Sequence, residues 1–200
     1  MSAWVPPPAD GAAWEQGWYA AARRCPSPNF GPRPAGVSID LAVIHSISLP
    51  PGVYGGDAIE RLFTNRLDWD AHPYFQQIRG LEVSAHFLLR RGGELLQFVS
   101  CDARAWHAGR SAWRGRDNCN DYSIGIELEG LEGEHFTAVQ YRCLARLLWA
   151  LAARYPLSEA TGHEDVAPGR KHDPGAGFSW PLLERLSGWQ AQGHSLRRPA

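Results

Sequence analysis

The sequence predicts an α/β (α+β) domain: a mixed central β-sheet with flanking helices. Three observations carry that expectation. Ile39–Ser48 (IDLAVIHSIS) holds a β-branched apolar run of buried-strand length, Val83–Val99 has a hairpin pattern, and Thr137–Tyr155 has apolar residues at helical spacing. Strand-like and helix-like segments alternate irregularly around the hairpin, which points to a mixed sheet packed against helices.

Each element has a local reason. The apolar run in Ile39–Ser48 ends in His45 and reads as a buried central strand. After the loop PPGVYGG, Asp57 is a candidate N-cap for a short helix over DAIERLFTNRL. In Val83–Val99, two strand-like stretches flank Arg91-Gly92-Gly93, a turn composition. In YSIGIELEG, Ile124, Ile126 and Leu128 alternate with Gly125, Glu127 and Glu129, so the strand has one apolar side. The long helix begins at Thr137, a good N-cap, and stops before Pro156. SWPLLERLSGW reads as a last helix with Pro181 near its start. Residues 1–15 and 191–200 read as flexible tails around one domain over 16–190.

Composition excludes several classes of function. The chain of 200 residues balances 20 Lys and Arg against 21 Asp and Glu. No basic excess recommends a nucleic-acid partner. No apolar run approaches membrane-spanning length. The start MSAWVPPPAD lacks the basic-then-apolar pattern of a secretory leader, which places a bacterial protein of this kind in the cytoplasm. Cys25, Cys101, Cys119 and Cys143 are scattered with no CxxC pair, so reduced thiols are expected. The nine tryptophans suit either core packing or the wall of a ligand cleft.

The chemistry-bearing residues are few. His45 ends an apolar strand, His163 sits in the Gly-flanked loop TGHED, and Asp173 precedes a Pro-Gly turn. Singly, each fits a hydrogen-bonded core histidine or a turn aspartate. Together they are the two imidazoles and one carboxylate that a catalytic zinc with one open position requires. Glu127 and Glu129 share the polar side of their strand, and either is a solvated group or a base aimed into a cleft. RAWHAG (Arg104–Gly109) places Trp106 and His107 beside small residues, which suits a ligand wall or a packed loop.

Seven stretches, in this order, resemble the AmpD family. They are GW with ARRCPSPNFGPRP, VIHSISLPPGVYGG, LFTNRLDWDAHPYF, VSAHFLLRRGGELLQFV, RAWHAG, CNDYSIGIELEG and TGHEDVAPGRKHDPG, and the resemblance extends from about Gly17 to Trp189. Members of that family are cytosolic zinc amidases of bacterial cell-wall recycling. They act on anhydro-N-acetylmuramyl-L-alanine peptides. The resemblance implies the fold of the N-acetylmuramoyl-L-alanine amidases and peptidoglycan-recognition proteins. It also implies zinc on His45, His163 and Asp173, catalytic work by Glu127 and Lys171, and an anhydro-muramyl peptide as the partner of a monomeric enzyme. Ser46, Trp106, His107 and Arg116 are the expected substrate contacts, His86 is expected behind the site, and His172 is the alternative ligand.

The chain departs from the family pattern in places. Ala85 stands where many of the wider superfamily have tyrosine, a departure that AmpD-type members share. Glu82 and Asn118 stand where some AmpD-type proteins have arginine, with Arg116 or Arg114 as the compensating charge. Ser46 replaces a common asparagine. These changes bear on peptide recognition and leave the metal chemistry intact. Two other readings share the fold: a lytic amidase of intact peptidoglycan and a non-catalytic muropeptide-binding module.

Overall fold

The computed structural model describes residues 14–196. Its centre is a seven-stranded mixed sheet. In chain order the strands are β1 (Arg23–Arg24), β2 (Leu41–Ile47), β3 (Phe87–Leu89), β4 (Leu95–Gln97), β5 (Ser123–Glu129), β6 (Glu159–Gly162) and β7 (Ser195–Leu196). They lie side by side as β7-β6-β2-β5-β3-β4-β1. Neighbours run parallel except in the β3–β4 hairpin. The helices are α1 (Ala58–Phe63), α2 (Pro73–Gln77), α3 (Ala138–Ala152), α4 (His163–Val166) and α5 (Trp180–Ser187). This is the expected mixed sheet with helices.

The alternation in β5 sorts its side chains as the sequence predicts. Ile124, Ile126 and Leu128 join Ala42 and Ile44 of β2 in the main core, against Leu144, Leu147, Leu148 and Leu151 of α3 and Leu183 of α5. Full burial of each such side chain contributes about 1.5–3 kcal/mol. Helix α3 starts as expected, with a capping box in which Thr137 Oγ1 accepts from Gln140 N and Gln140 Oε1 accepts from Thr137 N. The other side of β3 and β4 is covered by a second cluster containing Ile59, Leu62, Phe63 and Phe75 from α1 and α2. A third cluster of Cys119, Tyr122 and Val166 covers Leu41 and Val43 of β2. Both faces of the central strands are therefore covered, and every residue of β5 is buried.

The structure corrects the sequence expectations in four places. Trp14–Glu15 pair with Trp18–Tyr19, so the N-terminal part of the fold begins before residue 16, and residues 1–13 lie outside the described residues. The expected tail over 191–200 starts too early. Ser195–Leu196 extend the sheet beside Glu159–Ala160, and Leu196 is buried in the main core; residues 197–200 lie outside the described residues. Asp57 does not cap α1 with its side chain but pairs with Arg61 one turn on. His163 is not in an open loop. It is the first residue of α4, immediately after β6.

Candidate active site

Sheet register brings the site together. Strands β2 and β5 pair in parallel with His45 opposite Glu127, and β6 pairs with β2 with Gly162 opposite Ile44. His163 follows Gly162, so three neighbouring strands present His45, Glu127 and His163 near their C-terminal ends. Asp173 arrives from the loop after α4, and its carbonyl accepts from Glu164 N at 2.8 Å. That bond fixes the segment 171–175 against the helix that carries His163.

The three candidate ligands face one another. His45 Nδ1 lies 2.9 Å from His163 Nδ1 and 3.2 Å from Asp173 Oδ2, and His163 Nδ1 lies 3.1 Å from the same oxygen. All three residues are buried. A tetrahedral ion with bonds of about 2.0–2.1 Å separates its ligand atoms by about 3.3 Å, close to the spacing observed. His163 Nε2 is 3.1 Å from the Ala108 carbonyl, an acceptor, so the His163 proton sits on Nε2 and Nδ1 is a bare lone pair. That lone pair faces a carboxylate oxygen, an opposition that a cation relieves. His45, His163 and Asp173 thus form a metal-binding triad. The alternative ligand His172 is exposed and does not line the cleft.

The electrostatics follow from burial. Burial lowers His45 to about 4, and the neighbouring His163 adds to the effect. Burial alone would raise Asp173, but the imidazoles of His163 and His45 beside it outweigh burial and hold its carboxyl well below the usual range. Glu127 is pushed well above an ordinary glutamate by burial and then by the charge of Asp173, with Lys171 opposing.

The structure separates Glu127 from Glu129. Glu129 accepts from Arg90 Nη1 at 2.7 Å, Gly55 N at 2.7 Å and Arg91 N at 3.1 Å. Its role is to tie the loops over β3 and α1 to the sheet. Glu127 Oε2 is buried and has no hydrogen-bond partner among the described residues. A buried carboxylate oxygen left unpaired is costly, and here it lines the cleft beside the metal triad.

The cleft has a volume of about 340 Å³. One wall carries His45, His163, Asp173, Glu127 and Lys171; Tyr74, Ile78, Leu81 and Val83 also line it. Ser46, Trp106 and His107 line it too. One expected substrate contact needs correction. Arg116 is absent from the lining, because Asp40 accepts from its Nη1 at 2.7 Å and its guanidinium lies 3.7 Å over the Tyr122 ring. Arg114 is likewise held by Glu159. His107 lines the cleft with both ring nitrogens on protein partners, Nδ1 on His45 and Nε2 on Ser123. His86 lies behind the site as expected, bonded to Arg33 Nη2, Ala103 O and Gly125 N. The sequence reading missed the wall from α2, a five-residue helix whose Pro73 start was its only local mark.

Known proteins share this fold and much of this sequence. Residues 35–176 match the family model Amidase_2, N-acetylmuramoyl-L-alanine amidase. The chain is 52% identical over 174 residues to the 1,6-anhydro-N-acetylmuramyl-L-alanine amidase AmpD of Citrobacter freundii, covering 86% of this chain and 93% of that one. A crystal structure of an AmpD selenomethionine derivative superposes with a TM-score of 0.83 at 51% identity, over 86% of this chain and 97% of that one. The amidase AmiD of Escherichia coli, in complex with anhydro-N-acetylmuramic acid-L-Ala-D-γ-Glu-L-Lys, superposes with a TM-score of 0.55 at 29% identity, over 77% and 60% of the two chains. A fold with this register, a metal triad at its strand ends and half its residues in common with AmpD leaves one assignment: the chain belongs to the AmpD family of N-acetylmuramoyl-L-alanine amidases.

Proposed function

We infer that this protein hydrolyses the amide between the lactyl group of 1,6-anhydro-N-acetylmuramic acid and L-alanine, acting on muropeptides released during cell-wall recycling. The observation that carries the reading is the unpaired, buried Glu127 carboxylate beside His45, His163 and Asp173 in one cleft. Relatives that share half of its residues carry the same activity in their names. The reading takes the enzyme as a cytoplasmic monomer. Among the described residues, no helix is long and apolar enough to cross a membrane.

The metal is assigned as zinc, because two imidazoles and one carboxylate are the donor set of a catalytic zinc that keeps one position open. Zinc held by His45, His163 and Asp173 would supply Lewis acidity at the scissile carbonyl and a water of lowered pKa, about 7. Glu127 takes the proton of the attacking water and hands it to the departing alanine nitrogen. Its desolvation suits this, since a carboxylate with a raised pKa is a stronger base than a solvated one. Lys171, which lines the same cleft, neutralises the oxyanion as it develops. Trp106 and Ser46, which line the same cleft, contact the bound muropeptide.

The test is a competition. The zinc-loaded protein receives anhydro-muramyl tripeptide, ordinary muramyl tripeptide and intact sacculi together, and products are read by mass spectrometry. Peptide released from the anhydro compound first supports the reading. Release from sacculi at an equal rate replaces it with a lytic amidase, and no release by zinc-loaded protein replaces it with a binding module.

A further inference from the structure

A line of hydrogen bonds runs from His45 through His107, which also lines the cleft, to Ser123. His45 Nδ1 faces His163 and Asp173, so its other nitrogen points into the protein. There, Nε2 lies 3.0 Å from His107 Nδ1. His107 Nε2 lies 3.2 Å from Ser123 Oγ, and the Ser123 hydroxyl donates to the Cys119 carbonyl.

The far end of this line fixes its direction. A carbonyl oxygen only accepts, so the single Ser123 proton is committed to Cys119. Ser123 Oγ then accepts from His107, which must carry a proton on Nε2. With one proton on its ring, His107 offers a lone pair at Nδ1, and His45 must donate its Nε2 proton there. His45 Nδ1 is left bare, facing the other two ligands.

The space for this arrangement is built into β5. Ser123, Gly125 and Glu127 alternate onto one side of the strand. A Cβ at Gly125 would lie 2.4 Å from His107 Cγ, so only glycine leaves room for the ring. Three successive positions on one strand face thus supply an anchor, a gap and the catalytic base.

We propose that His107 is a positioning residue for the metal site, holding His45 in the Nε2–H tautomer with Nδ1 presented to the ion through a relay anchored at Ser123 and Cys119. The proposal rests on the reading of His45, His163 and Asp173 as metal ligands. A hydrogen bond from the distal nitrogen of a ligating histidine both orients the ring and raises its basicity, and loss of such a partner lowers metal affinity about 10–100-fold.

Two measurements test it separately. Long-range proton–nitrogen NMR spectra of the metal-free wild-type protein read the His45 tautomer directly. A proton on Nε2 is expected, and a proton on Nδ1 would overturn the proposal. Chelator competition then reads zinc affinity in His107→Ala, His107→Asn and Ser123→Ala. His107→Ala is expected to bind zinc about 10–100-fold more weakly. His107→Asn, which returns an acceptor oxygen near the place of Nδ1, is expected to recover most of that loss. If His107→Ala proves unfolded, Ser123→Ala still reports, with a mixed His45 tautomer and a smaller loss of affinity. Wild-type affinity in His107→Ala, or no recovery in a folded His107→Asn, would contradict the positioning role. Wild-type protein that takes up no zinc would instead reject the metal reading, while the tautomer spectrum still decides the relay.

Discussion

Glu127 is the register partner of His45 on adjacent parallel strands, so the expected base and the first metal ligand stand side by side on one face of the sheet. Backbone pairing fixes their relation before any ion binds. Replacing Glu127 by Gln keeps shape and removes the base. Zinc content should be unchanged and turnover should fall about 100- to 10,000-fold. Metal analysis with steady-state kinetics on the same sample checks both.

Asp173 is the only carboxylate of the triad. Asp173→Ala should purify with little zinc and lose activity in proportion. Full zinc occupancy in that variant, by elemental analysis, would remove Asp173 from the ligand set.

Lys171 is expected to act on charge that develops during the reaction. Lys171→Ala should lower kcat about 100- to 1,000-fold with a smaller change in KM. A rise in KM alone would make it a binding residue.

The two glutamates of β5 should give opposite pH responses. Glu127 has a folded pKa raised by burial. Its contribution to stability is therefore fully present below the unfolded value, near 4.5, and is lost as pH rises toward the folded value. In metal-free protein, Glu127→Gln should match wild type in Tm at low pH and exceed it at neutral pH. For Glu129, burial opposes ionisation, but hydrogen bonds from Gly55 N, Arg90 and Arg91 N outweigh it and lower its pKa. That contribution is present above the unfolded value and is lost as pH falls through the folded value. Thermal scans across pH on both variants check the signs.

Glu129→Ala should be a stability variant rather than a catalytic one. It leaves Arg90, itself buried, without its closest carboxylate, at a cost on the order of 3 kcal/mol. Urea unfolding should register the loss, while the folded fraction keeps near wild-type turnover.

Much of the fold was legible because local rules agreed with the tertiary outcome. The alternation in Ser123–Glu129 and the Thr137 cap both appear as expected. The candidate ligands were legible as residue types, but their convergence was not. His45 and His163 are 118 residues apart, and only strand register joins them. The choice between Glu127 and Glu129 was hidden because alternation puts both on one face, and Arg90 decides it from another strand's end. Arg116 misled because its charge suited a peptide, while Asp40 and Tyr122 capture it in the fold. The Ser195–Leu196 strand is too short to leave any periodicity, so nothing local separated it from a tail.

The most direct measurement is mass spectrometry of the products formed from anhydro-muramyl tripeptide in ¹⁸O-labelled water, by zinc-loaded wild type and zinc-loaded Glu127→Gln. Hydrolysis at the metal triad with Glu127 as base predicts one heavy oxygen in the lactyl carboxylate, none in the freed tripeptide, and almost no product from the variant. Tripeptide released by Glu127→Gln at near the wild-type rate would contradict it.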